Sequence, residues 1–210
     1  MNYHRMMEEI LESLDATDAP RLLLHSCCGP CSSAVISALA PFFDLTVFYY
    51  NPNIDEAAEY ERRAAAQRAL IAALPVPRPV SFIEPGWEPG EFLEVAAPFA
   101  AEGEGGERCT HCYRLRLART AKAARELGYP YFASTLSVSP WKDPVRLNVI
   151  GDEEGTRHGV RWLWSDFKKG NGYQRSIELS REYGLYRQDY CGCAYSRDER
   201  DRREKARASG

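Results

Sequence analysis

From Pro20 onward, short β-branched, aromatic or leucine runs alternate with longer stretches of helical periodicity, which is the pattern of a parallel sheet covered by helices. Arg21–Ser26 (RLLLHS), Leu45–Tyr50 (LTVFYY) and Pro79–Glu84 read as the first strands, with Tyr131–Val138 and Arg161–Trp164 following later. Between them, Pro30–Leu39 is expected to be a helix opened by a first-turn proline. Glu56–Leu74 is rich in Ala, Leu, Arg and Glu and strongly favours a helix. Glu91–Phe99 is expected to be a short helix, and Glu102–Glu107 a flexible acidic loop. A long helix is expected after Cys112, ending at the terminator Gly128, and another within Pro144–His158. Beyond Asp166 the alternation breaks into a basic, glycine-containing loop (Asp166–Gly172), a helix over Tyr173–Tyr183 and an irregular segment, Leu185–Ser196. The expectation is a single α/β domain over residues 1–210: a core (21–165), a cysteine- and basic-rich C-terminal segment (166–196) and a charged tail (197–210), helical over Arg197–Arg207.

At 210 residues and 44 % hydrophobic content, such a chain buries a full core without disulfide staples. No apolar run approaches the ~20 residues of a membrane span, and the opening MNYHRMMEEILESL has no apolar signal-peptide core. The reading is therefore a soluble, cytoplasmic protein with no membrane partner. In a reducing compartment seven cysteines, an odd number, are ligands or redox groups rather than structural disulfides.

The seven fall into three groups, Cys27-Cys28-x-x-Cys31, Cys109-x-x-Cys112 and Cys191-Gly-Cys193, and none is left over. The first group follows the first strand, at the sheet edge where ligands of open α/β folds gather. Its loop, Ser26-Cys-Cys-Gly-Pro-Cys-Ser32, has no lysine and one glycine, so it is a poor phosphate cradle and a good source of thiolates. Thiolates bind iron–sulfur clusters or zinc, usually four at a time, and spacing alone leaves a cluster, zinc and a thiol redox centre open. Cys191 and Cys193, one glycine apart, can close a small strained disulfide, remain free thiols at a turn, or share a metal with Asp189 as an oxygen ligand. His25 reads as a hydrogen-bonded, semi-buried histidine rather than a ligand, and His111 as a neighbour of the cysteine pair or a surface residue.

The formal charge of −3, from 27 basic and 30 acidic residues, excludes a uniformly basic coat but not a local patch. Glu8, Glu9, Glu12, Asp15 and Asp18 make the beginning acidic, whereas Arg108 to Arg125 contains Arg114, Arg116, Arg119 and Lys122 and no acid. A second basic stretch, Phe167–Arg175, mixes Lys168 and Lys169 with Tyr173 and glycines, as a backbone-contacting loop would. Ordinary solvated faces are the competing reading for both.

With these residues in view, the chain resembles the QueH family of epoxyqueuosine reductases from about Leu22 to Ser196. The resemblance is carried by LLLHSCCGPCS, FYYNPNI followed by EYERR, RCTHCYRLRLARTA, YFASTLSVSPWKD and, most specifically, SDFKKGNGYQRSIELSREYGLYRQDYCGC. Gly29, where alanine is common, and His111, at a usually apolar position, depart from the family's pattern without removing a thiol. The resemblance implies a Rossmann-like sheet similar to the adenine-nucleotide α-hydrolases, with cysteines in place of the phosphate loop. It implies a [4Fe–4S] cluster on Cys27, Cys28, Cys109 and Cys112, and a redox-active disulfide formed by Cys191 and Cys193. It also implies one additional iron ion, to which Cys31, Asp189 or the Cys191/Cys193 pair could contribute. The implied reaction, the last step of queuosine formation, reduces the epoxide of epoxyqueuosine at the wobble position of tRNA to the cyclopentene, with loss of oxygen as water. It needs an electron donor, and Arg114, Arg116, Lys168, Lys169 and Tyr173 are the candidate contacts to the anticodon loop. Two readings compete: an ATP-dependent tRNA-modifying enzyme of similar fold, which the CCGPC loop disfavours, and a non-catalytic zinc-binding module.

Overall fold

Three consecutive leucines define the centre of the structure, a computed structural model that describes residues 1–15 and 18–208. They lie in β1 (Arg21–His25), and all are fully buried. Because strand side chains alternate between faces, Leu22 and Leu24 join one hydrophobic cluster and Leu23 another. A strand buried on both sides belongs in the middle of a helix-covered parallel sheet. The other strands are β2 (Asp44–Phe48), β3 (Ser81–Ile83), β4 (Tyr131–Ser134) and β5 (Arg161–Trp162), in the all-parallel order β3-β2-β1-β4-β5. The α/β parallel-sheet reading is borne out.

The Leu22/Leu24 face packs on α1 (Tyr3–Ser13), α2 (Gly29–Leu39) and α3 (Ala57–Ala73), through Met7, Leu11, Val35, Ile36, Leu39 and Leu70. The Leu23 face packs on α5 (Glu107–Glu126) and α6 (Pro144–His158), chiefly through Tyr113, Leu117, Ala121, Leu147 and Ile150. The short α4 (Pro89–Ala96) continues into a 3-10 turn at Ala97–Phe99, α7 (Gly172–Glu182) packs on α2, and α8 (Ala194–Ala208) closes the chain.

Helix α1 is absent from the sequence reading, which took this stretch only as an acidic lead. Tyr3, Met7 and Leu11, spaced four apart, form a buried stripe, and the side chain of Asn2 caps the first turn through the Arg5 amide. Strand β4 stops at Ser134, with Thr135–Val138 turning into a 3-10 helix, and α8 begins at Ala194 rather than Arg197. The last two residues of the expected tail, 209 and 210, lie outside the described residues.

The difference that matters most is the start of α5. It begins at Glu107, whose carboxylate suits the positive end of the helix dipole, and not after Cys112. Cys109, Cys112 and Arg116 thus fall at i, i+3 and i+7 on one helical face. Gly128 does stop the chain after this helix, at φ 74°.

Sheet growth reverses between β1 and β4, since β2 and β3 lie on one side of β1 and β4 and β5 on the other. The carboxyl ends of β1 and β4 therefore open a crevice at the switch point. Cys27 and Thr135 follow those two ends, with Cys27 Sγ 3.8 Å from Thr135 Oγ1.

Candidate functional site

The loop after β1 brings its three cysteines together: the Sγ atoms of Cys27, Cys28 and Cys31 all lie within 4.8 Å of one another. Cys28 caps α2, its sulfur accepting from the Cys31 amide at 3.4 Å, so the sulfurs stand at a helix N-terminus. Beneath the loop, Ser26 and Ser32 both donate to Gln67 Oε1 at 2.7 Å, which fastens β1 and α2 to α3. At Gly29 an added Cβ would stand 3.2 Å from the Ala66 carbonyl oxygen, so the loop packs close against α3.

Hydrogen bonding to Cys28 and Cys31, with the Arg116 charge assisting against burial, holds the Cys27 thiol well below its ordinary range. Cys28 is pushed up, mainly by burial, and Cys31 by donating to Cys27.

His25 lies under this group, fully buried and hydrogen-bonded, as its sequence position indicated. Burial, then Arg116, depresses its pKa to about 3, so it is neutral. His25 Nε2 lies 3.2 Å from Arg116 Nε and 3.1 Å from the Tyr50 carbonyl oxygen, and Nδ1 lies 2.8 Å from Ser134 Oγ. Arg116 Nη2 donates to Asn51 Oδ1 at 2.7 Å, and Asn51 donates to the Ser26 carbonyl at 2.8 Å. Arg116, expected on a basic surface, is only 1 % exposed. Burial opposes its charge, and the sulfurs of Cys112, Cys27 and Cys191 sustain it. It is a buried counter-charge reaching all three cysteine groups.

Cys109 and Cys112 lie outside the 4.8 Å trio. The Gly105 amide donates to Cys109 Sγ at 3.2 Å, while Cys112 is buried beside Cys193, Phe92 and Ala96. Burial raises both thiols, Cys112 to about 11.

The Cys191-Gly192-Cys193 turn is gripped from several sides. Arg63 Nη1 donates to the Cys191 carbonyl at 3.0 Å and Nη2 to the Tyr190 carbonyl at 3.4 Å, while its Nε bonds Glu59 at 2.6 Å. Gly192 has φ 121°, and a Cβ there would meet Ile54 at 2.9 Å, so glycine is required both by backbone and by space. Lys142 Nζ lies 3.2 Å from Cys191 Sγ and 2.9 Å from Glu104 Oε1. Burial opposes the Lys142 charge, but its neighbours, chiefly Cys191 and Glu104, hold its pKa well above that of an ordinary lysine. Cys191 and Cys193 are both free thiols here, the first half-buried and the second buried.

A cavity of about 540 Å³ joins the groups: Cys27, Cys31, Arg116, Lys142, Tyr173 and Cys191 line it, as does Asp189. Asp189 is also paired with Arg200 at 2.6 Å. The other expected RNA contacts are distributed unevenly. Arg114 forms ion pairs with Glu153 at 2.6 Å and with the buried Glu154 at 2.9 Å, and Lys168 pairs with Asp166 at 2.7 Å. Lys169 is exposed. His111 stacks on Phe99, with ring centroids 4.4 Å apart. The acidic loop expected to be flexible is tied down: Glu104 bonds Lys142, and its amide donates to Glu199 at 2.9 Å.

Arg63, Lys142, Glu104 and Gln67 were not singled out from the sequence. The first two lie inside EYERR and PWKD, where an arginine in a helix and a lysine before a cap look like surface residues; a cation meant for a cysteine turn shows itself only once the chain is folded.

Fold and site together define an α/β protein with a thiolate centre at the switch point of its sheet, its soft donors suited to a thiophilic metal. Comparison with known proteins narrows the class. The family profile described as Epoxyqueuosine reductase QueH matches residues 22–199. A protein of that name from Streptococcus pyogenes is 39 % identical over 199 residues, covering 93 % of this chain and 78 % of its own. Those from Staphylococcus epidermidis, 38 % identical over 201 residues (93 % and 84 % of the two chains), and Thermotoga maritima, 35 % over 185 residues (88 % and 93 %), agree. The chain belongs to the epoxyqueuosine reductase QueH family.

Proposed function

We propose that this chain reduces epoxyqueuosine, carried at the wobble position of tRNA, to queuosine, using a metal–thiolate centre and a dithiol that share one cavity. Family membership supports the reaction, and the observation that carries the site is the cavity wall itself, where Cys27 and Cys31 of one group meet Cys191 of another. A [4Fe–4S] cluster on Cys27, Cys28, Cys109 and Cys112, with one further iron near Cys31 or Asp189, would supply electron relay and Lewis acidity when bound.

The remaining steps belong to the chain's own residues. Conversion of the epoxide to the alkene consumes two electrons and two protons and releases water. Oxidation of the Cys191/Cys193 dithiol to the disulfide yields those two electrons and two protons. Cys191 lines the cavity and Cys193 lies buried behind it, so Cys191 is the thiol that meets substrate and Cys193 the one that resolves it. Lys142 keeps a fixed positive charge at the Cys191 sulfur. Arg116 offsets the negative charge of the thiolates, and neutral His25 holds Arg116 in place. An external donor then restores the dithiol.

Anaerobic iron and acid-labile sulfide analysis, combined with turnover, tests this reading. Iron and sulfide are expected in the parent, loss of visible absorption in Cys27→Ser, and retained absorption with abolished turnover in Cys191→Ser and Cys193→Ser. A colourless protein holding zinc without sulfide would remove the cluster, and unchanged turnover in the Cys191 or Cys193 variant would remove the dithiol.

A further inference from the structure

The wall of the thiol cavity ends in a side chain that no packing requirement explains. Trp141 lines the cavity, yet is 76 % exposed. Its side chain forms no ring stack and no hydrogen bond among the described contacts; only its backbone amide is engaged, donating to Ser139 Oγ at 3.3 Å. Indole is the largest apolar side chain, and while every other aromatic side chain is buried or half-buried, this one stands exposed at the mouth of the cleft. Tyr173 lines the same cavity. The lining cations, Arg116, Lys142, Arg187 and Arg203, outnumber the lining acids, Glu104 and Asp189. An exposed aromatic face beside a net-positive cleft is the combination that holds unpaired nucleotides: the charge tracks phosphates and the ring stacks a base.

We infer that Trp141 is a base-stacking platform that seats a nucleotide of the RNA loop at the mouth of the cavity, fixing the loop while the modified nucleoside enters toward Cys191. The inference rests on the tRNA reading above and adds the residue that grips the loop without charge. Val145 and Val149, 53 % and 44 % exposed, lie four residues apart on one face of α6, which follows Trp141 in the chain. An apolar face of this kind can also meet a second protein copy, but the charged surroundings of Trp141 and its place at the cleft favour RNA.

The test is the affinity of the intact protein for an anticodon stem-loop carrying epoxyqueuosine, measured at several salt concentrations for the parent, Trp141→Ala and Trp141→Phe. Trp141→Ala is expected to bind about 10- to 100-fold more weakly at every salt concentration, with an unchanged slope of log K against log salt, since no phosphate contact is lost. Trp141→Phe should recover most of the affinity, and RNA should quench the part of the parent's indole emission that is missing from Trp141→Phe. An unchanged melting temperature in Trp141→Ala would show that its effect is not misfolding. Parent-like affinity in Trp141→Ala, or emission from Trp141 that RNA leaves unaltered, overturns this inference alone. A parent that binds no stem-loop overturns the tRNA reading and this inference with it. RNA binding unaffected while a parent dimer is lost in Trp141→Ala would assign this face to a second copy instead.

Discussion

The first and last cysteine groups face the same cavity, but they are held in opposite ways. Cys27, Cys28 and Cys31 are part of the α/β frame, between the end of β1 and the first turn of α2. Their spacing follows from strand register and helix geometry. Cys191 and Cys193 sit on a turn with no regular structure of its own, between α7 and α8, and their position is imposed from outside by Arg63, Asn53, Lys142 and Ser196. The contrast suits the roles proposed for them, since metal ligands gain from a frame that does not move and a thiol pair that forms and breaks a bond needs a segment able to shift.

Acid should expose the frame's weak point with the largest effect. Buried His25 titrates near 3 instead of 6.5, so on acidification the unfolded chain takes up its proton first. Stability is full above pH 6.5 and is lost as pH falls toward 3, by roughly 5 kcal/mol across that window. Urea midpoints measured against pH would show this loss, and His25→Gln, less stable at neutral pH, should flatten the profile.

Removing the clamp attacks the other region. Arg63→Met leaves Glu59, with its side chain 9 % exposed, without its counter-charge and with the Tyr186 hydroxyl as its remaining hydrogen-bond partner, at a cost of about 3 kcal/mol. Alkylation of Cys191 and Cys193 should accelerate, while the metal content proposed for the Cys27/Cys28 centre should match the parent's; loss of metal from this variant would mean that the two regions are one structural unit. The smallest effect is expected from Lys142→Met, which removes a charge-assisted bond worth about 1.5–3 kcal/mol. Turnover should fall roughly 10- to 100-fold, with Lys142→Arg recovering part of it and the melting temperature lowered by a few degrees.

Much of the frame was legible before folding. The leucines of β1, the proline at the start of α2 and the stop at Gly128 follow local rules, and the cysteine loop falls at the carboxyl end of β1 as its position in the sequence indicated. The start of α5 was less accessible, because a Cys-x-x-Cys pair resembles a knuckle in a loop and nothing local distinguishes it from one on a helix. Charge proved the least readable property. Arg114 and Arg116 looked alike in a basic run, yet one is partly exposed and forms ion pairs with Glu153 and Glu154 while the other lies in the core against His25 and Asn51. Pairing is decided by residues distant in sequence.

Helix α5 carries Cys109, Cys112 and Arg116 on one rigid rod of 20 residues, about 30 Å long. Two sulfurs and the buried cation therefore move as one body, and a tilt of the rod alters the donor geometry and the local potential in the same stroke. A change in the pose of this helix therefore retunes the two sulfurs and the cation together, and separating them takes a substitution of one side chain on the rod.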